Sequence, residues 1–198
     1  NFAITSAYRR KHGQECYLFN PASTKYETHR YNPLAYISED PHFRIDDIQK
    51  IGNMLFPDVP GTDVMWTATP RSLFLGIVLM LLETPGKLVT LGQVLRETLQ
   101  DGDGSAYFAK VINDRAKTGN PYSGACVRAL NSYISIASEN TRSGVMTSFR
   151  SKLELWMNPI VDAATSGNDF DLRDLRKKRM SIYVGVTPDN LKRMAPLM

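Results

Sequence analysis

Between Trp66 and Glu83 the chain runs through ten consecutive residues without a polar side chain, Leu73-Phe74-Leu75-Gly76-Ile77-Val78-Leu79-Met80-Leu81-Leu82. A helix that is apolar all round has no face to offer water, so other elements must wrap it. It reads as the central helix of a helical domain. A membrane span needs about 20 apolar residues, whereas this run stops at Glu83 with Pro85 and Gly86 behind it, and it is therefore read as core. Pro70 lies within the pattern, and the helix either kinks there or starts there with Thr69 as its cap.

The elements around this stretch follow from period and punctuation. Phe2 to His12 predicts a short helix closed by Gly13. Glu15-Cys16-Tyr17-Leu18-Phe19, ended by Asn20-Pro21, predicts a strand, and Ala22 to Pro41 an extended connection. From Arg44 the period becomes helical, with Ile45, Ile48, Ile51 and Leu55 on one face, Asp46 and Asp47 in the first turn and Pro57 as the stop. After the central helix, Thr90-Leu91-Gly92-Gln93 predicts a capped helix ending near Leu99. Asp101-Gly102-Asp103-Gly104 predicts a turn, with Ser105 capping a helix to about Arg115 whose apolar face is Phe108, Val111 and Ile112.

Pro121 predicts the next helix start, with Tyr122, Cys126, Ala129, Leu130, Tyr133 and Ala137 inward to about Ser138. Thr141 or Arg142 opens another, turning Val145, Met146, Phe149, Leu153 and Trp156 inward. A short helix follows over Pro159 to Ala164, and Asp171 to Arg179 is a charged helical stretch. Ser181-Ile182-Tyr183-Val184-Gly185-Val186 predicts a second strand, and Asp189 to Met198 starts a last helix. Two strands thus flank a long helical middle. A two-stranded sheet is marginal alone, and both strands are apolar enough for the centre of a larger parallel sheet. The fold class is mainly α, a multi-helix domain inserted into a slice of an α/β domain.

The composition is that of a globular chain, and 24 Lys and Arg against 20 Asp and Glu mildly favour an anionic partner. Cys16 and Cys126 sit in apolar patterns and do not form a disulfide framework, which fits a cytosolic setting. The chain opens on Asn1 rather than Met, and it reads as an excised segment.

The order of motifs resembles the coupling ATPases of type IV secretion and conjugation, the TraG/TraD type. The resemblance rests on Asn1-Phe2-Ala3-Ile4-Thr5-Ser6 leading to Tyr8-Arg9, on Tyr17-Leu18-Phe19-Asn20-Pro21, and on His29-Arg30-Tyr31-Asn32-Pro33-Leu34. Ser181-Ile182-Tyr183-Val184 with Pro188-Asp189-Asn190-Leu191 resembles the strand and helix before the family's Walker B strand. Asp63 to Trp66, leading into Leu73 to Leu82, resembles the start of its helical insertion.

The resemblance implies a RecA-like motor, a membrane-anchored hexamer at the cytoplasmic face of the bacterial inner membrane that passes DNA or protein to the secretion channel. Its domains would be 1–37 and 177–198 from the nucleotide-binding domain, and 38–176 from an all-alpha substrate-recognition domain. Implied partners are DNA, relaxase and relaxosome proteins, and secretion-channel ATPases through the parent, with the isolated segment monomeric. ATP and Mg²⁺ would serve the parent. This sequence has no Gly-x-x-x-x-Gly-Lys-Ser/Thr and no strand ending in Asp-Glu, so the segment is expected neither to hydrolyse ATP nor to hold a cofactor.

Lys110, Arg115 and Lys117 fall on one predicted helix and its end, and Arg142, Arg150 and Lys152 on another. They are the candidate nucleic-acid contacts, set against an ordinary solvated face. Trp66 is the candidate substrate contact, set against a core role. Arg173, Arg176, Lys177, Lys178 and Arg179 follow Asp169, Asp171 and Asp174 at a helix end and are read as structural. His12, His29 and His42 lie apart, without partners at metal spacing. Asp101 to Ser105 lacks the acidic residue near Ile112 that a calcium loop needs. No catalytic set stands out. The alternative to DNA engagement is a protein-only adaptor that docks relaxase, effector or accessory proteins.

Overall fold

A computed structural model describes residues 2–100 and 104–197. In chain order they form α1 (Phe2–Lys11), β1 (Glu15–Phe19), α2 (Pro41–Leu55), α3 (Met65–Leu82), α4 (Leu91–Thr98), α5 (Gly104–Lys117), α6 (Gly124–Ile134), α7 (Glu139–Lys152), α8 (Pro159–Ala164), β2 (Met180–Val184) and α9 (Leu191–Met194). The chain is mainly α, with two strands among the described residues. Residues Tyr36–Glu154 form one compact unit; those up to Ala35 and from Leu155 onward form the other. The helical unit is thus inserted in sequence between the two parts of the strand-bearing unit. Asp101, Gly102 and Asp103, where a turn is expected, lie outside the described residues.

In the strand-bearing unit, β1 and β2 pair in parallel with Glu15 opposite Met180 and Phe19 opposite Val184. Gly13 turns the chain from α1 into β1 at φ +76°, a conformation natural to glycine. Aromatic rings fill the unit: Phe2 meets Tyr183 edge-on at 5.3 Å, and Tyr31 stacks on Phe170 at 5.9 Å. His29 is locally bonded, its Nδ1 accepting from the Leu18 N–H at 3.0 Å.

Residues 155–176, expected in the helical domain, belong to this unit instead. The Tyr31 N–H donates to the Ala164 carbonyl at 2.9 Å and the Asn32 N–H to Asn168 Oδ1 at 2.8 Å. Arg30 grips Asp169 through Nη2 at 2.7 Å and through its own main-chain N–H at 2.7 Å. Trp156, expected on the inward face of the preceding helix, lies in a 3-10 turn and donates from Nε1 to Thr165 Oγ1 at 2.9 Å. Specific long-range partners here override helical periodicity.

The helical unit is organised around α3. Leu73, Phe74, Ile77, Val78, Leu79, Met80 and Leu81 are all buried, packed by α6, α2, α7 and α4. Fully burying each such side chain stabilises the fold by about 1.5–3 kcal/mol. By length and composition α3 could cross a bilayer, yet 56% of it is buried inside the protein. Of the two possibilities at Pro70, the helix does not start there but runs through it from Met65, whose N–H donates to Asp63 Oδ1 at 2.9 Å.

Small polar residues set the other starts. Asp40 caps α2 through the His42 N–H at 2.9 Å with Pro41 at its first position, so Asp46 and Asp47 fall beyond the first turn. Ser123 rather than Pro121 opens α6, and Ser138 opens α7. Ser105 lies inside α5 instead of capping it. Thr90 caps α4 as its sequence implies, through the Gln93 N–H at 3.1 Å. The charged stretch after Asp171 is a 3-10 turn, Leu172–Arg176, and the last expected helix is reduced to α9 between 3-10 turns, since Pro188 and Pro196 limit its run.

Candidate functional site

Charge divides unequally between the two units. The strand-bearing unit has 12 Lys and Arg against 7 Asp and Glu, a net +5, whereas the helical unit has 12 against 13, a net −1. All the excess positive charge of the chain therefore lies outside the unit that carries the six candidate nucleic-acid contacts.

Three of those six are bound to main-chain carbonyls at helix C-termini. Arg115 donates from Nη2 to the carbonyl of Glu83, the C-cap of α3, at 2.8 Å, with its Cζ 5.4 Å from the centre of the Tyr122 ring. Arg142 donates from Nη1 to the Ile136 carbonyl, just past α6, at 2.6 Å. Arg150 donates from Nη2 to the carbonyl of Thr98, the last residue of α4. A fourth arginine, Arg71, does the same for α2, donating from Nε to the Phe56 carbonyl at 2.8 Å and from Nη2 to Asp58 at 2.8 Å. The last carbonyls of a helix lack partners within it and bear the negative end of its dipole, so a guanidinium satisfies both needs.

The remaining candidates are exposed lysines. Lys110 and Lys117 both reach Asp114, at 2.8 and 3.3 Å, and hold its carboxyl below the usual range. Lys152 ends α7 without an ion pair among the described residues. Trp66 lies in the first turn of α3, 37% exposed, with its ring laid on Gly144 of α7. The structure does not bring these residues to one face as a cluster of free cations.

A cavity of about 470 Å³ lies beside Leu79, Glu83, Arg44, Arg115 and Ser123. Two of its charged groups are engaged internally: Glu83 Oε2 accepts from the Ser123 N–H at 2.8 Å, and Arg44 donates to the carbonyls of Ser38 and Glu39. Cys126 points at the Gly76 carbonyl, and burial, then the charge of Glu83, pushes its thiol up to about 12, far from thiolate chemistry. Among the described residues no three His, Cys, Asp or Glu side chains converge at metal distance.

The group that sequence reasoning missed is centred on Glu97, which is 1% exposed. It accepts from Tyr107 Oη at 2.5 Å, Lys87 Nζ at 2.9 Å and Gln93 Nε2 at 2.6 Å. Only the Gln93 to Glu97 spacing, one helical turn, hints at it in the sequence. With both oxygens bonded, it is a fastening between α4 and α5 rather than a free acid.

The whole chain, residues 1–198, matches the family described as type IV secretory system conjugative DNA transfer. It is 29% identical over 206 residues to the protein VirD4 of Rhizobium radiobacter and, equally, to that of Agrobacterium fabrum, covering 100% of this chain and 28% of each relative. It is 24% identical over 208 residues to the conjugal transfer protein TraG of Escherichia coli, of which it covers 32%. The chain thus spans less than a third of the length of these curated relatives.

Proposed function

This chain belongs to the conjugative DNA transfer family of type IV secretory systems, and on that premise we propose that it is the substrate-recognition segment of a coupling protein, delivering DNA and attached protein to a secretion channel. Within it, the helical unit docks protein, relaxase or other relaxosome components, rather than the DNA itself. The observation that supports this reading is the net −1 charge of that unit, with Arg115, Arg142 and Arg150 committed to its own helix ends.

In the parent, the strand-bearing unit would complete a RecA-like domain in a membrane-anchored hexamer at the cytoplasmic face, with ATP and Mg²⁺ supplied with ligands from elsewhere. A phosphate cradle forms where a strand feeds a glycine-rich turn and a helix N-terminus. Here β1 runs into Asn20-Pro21 and β2 into Gly185-Val186-Thr187-Pro188. Neither turn offers the Lys-Ser/Thr that grips a nucleotide, so no hydrolytic step is assigned to this chain.

Calorimetric titration of the chain with the relaxase of its own transfer system tests the reading. Equal relaxase affinity for the native chain and for the Lys110→Glu/Lys117→Glu/Lys152→Glu variant supports it. Absence of relaxase binding, with DNA binding lost in that variant, would return the helical unit to a DNA-engaging role.

A further inference from the structure

The cavity beside Leu79 in the helical unit is walled by four helix ends. Arg44 and Ile45 come from the start of α2, Leu79 and Glu83 from the end of α3, Arg115 from the last turn of α5, and Ala125 from the first turn of α6. At about 470 Å³ the space takes a small organic molecule rather than a lone ion. Its apolar side is Ile45, Leu79 and Ala125, and its charged side is two arginines and one glutamate.

Those three charges do not cancel. Glu83 Oε2 is held at the start of α6 by the Ser123 N–H at 2.8 Å. Arg44 binds two main-chain carbonyls through Nε and Nη2, and Arg115 binds one through Nη2. Neither arginine pairs with a carboxylate among the described residues, and Nη1 of each has no partner there. Arg115 Nε is buried and equally without an acceptor. A carbonyl answers a donor and leaves the charge of the guanidinium standing, so two cations against one anion leave a single positive charge on the wall. Burying a donor without an acceptor is unfavourable, and an anion in the cavity would supply one.

We propose that this cavity is a binding site for a small organic monocarboxylate, its carboxylate held by Arg44 and Arg115 and its apolar body laid over Ile45, Leu79 and Ala125. The planar guanidinium offers donors in the spacing that a carboxylate accepts. One positive charge selects a singly charged ligand, since a phosphate dianion would leave the wall negative beside Glu83. The apolar side gives an acyl or aryl body a place that an inorganic anion cannot use. Occupancy would brace the starts of α2 and α6 against the ends of α3 and α5. The site goes beyond the relaxase-docking reading of the helical unit and does not rest on it.

The test is calorimetric titration of the full chain with octanoate, octan-1-ol and inorganic phosphate. Octanoate should bind saturably at one site, octan-1-ol about tenfold or more weakly, and phosphate without measurable heat. Arg44→Met should weaken octanoate about tenfold or more. Ala125→Phe, which fills the cavity and leaves both arginines in place, should abolish saturable octanoate binding. Arg44 has no ion pair to lose and Ala125 is half-buried, so an unaltered far-ultraviolet circular dichroism spectrum is expected of both variants. The ligand series on the native chain decides the matter whether or not a variant folds. Absence of saturable octanoate binding by the native chain overturns the proposal. So does octan-1-ol binding as tightly as octanoate, or octanoate binding equally to the native chain and to folded Ala125→Phe.

Discussion

Gly76 of α3 lies so close to Leu130 of α6 that a methyl group on Gly76 would stand 2.9 Å from the Leu130 main-chain nitrogen and 2.8 Å from its Cγ and Cδ2. A side-chain tip can move aside, but a main-chain atom in a packed helix cannot. The contact sets the depth at which α6 seats on the buried central helix. Gly76→Ala should therefore destabilise the chain by about 1–3 kcal/mol through overpacking, despite alanine's better helix propensity. The midpoint of urea unfolding measures this.

Gly144 provides the contrast. A methyl group there would meet the Trp66 ring at 2.9 Å, but that ring is 37% exposed and can swing outward. Gly144→Ala should leave stability within about 1 kcal/mol of the native value, as better helix propensity offsets lost ring contact. Trp66 emission should shift to the red as the ring enters water, while buried Trp156 stays unchanged.

The Glu97 cluster predicts a pH dependence. Burial pulls the Glu97 carboxyl upward, and the donors Tyr107, Lys87 and Gln93 more than reverse this, leaving its pKa below the ordinary 4.5. A carboxyl lowered by folding contributes stability above its unfolded pKa and loses it as pH falls through the folded one. Glu97→Gln should cost about 1–3 kcal/mol at neutral pH. The gap between native and variant chains should close as the pH is taken below 4.5, which unfolding curves collected down the acid range will resolve.

Elements bounded by strong local punctuation were legible in the sequence. β1 between Gly13 and Asn20-Pro21, and α8 behind Asn158-Pro159, form at the residues expected. The central helix was legible as core because its apolar run leaves no solvent face. Its start was legible only as one of two possibilities at Pro70, a start there or a helix already running through it, and the second is what forms, from Met65. The destination of residues 155–176 depends on Arg30 and Tyr31, more than 130 residues away, and local period carries no such information.

The arginines were illegible for a related reason. Arg150 and Thr98 are 52 positions apart, and a carbonyl acceptor leaves no mark on residue type. A cation on a helix surface reads the same from the sequence whether it faces phosphate or the end of a neighbouring helix.

The central claim is that Arg115, Arg142 and Arg150 hold helix ends rather than DNA. The direct measurement is a paired one on Arg115→Gln, Arg142→Gln and Arg150→Gln: urea unfolding, and anisotropy of labelled DNA at low salt with the folded protein. Each substitution should lower stability by about 1–3 kcal/mol, from a part-buried helix-end carbonyl left without its charged donor, with DNA affinity unchanged. Unaltered stability together with a several-fold loss of DNA affinity would contradict the account.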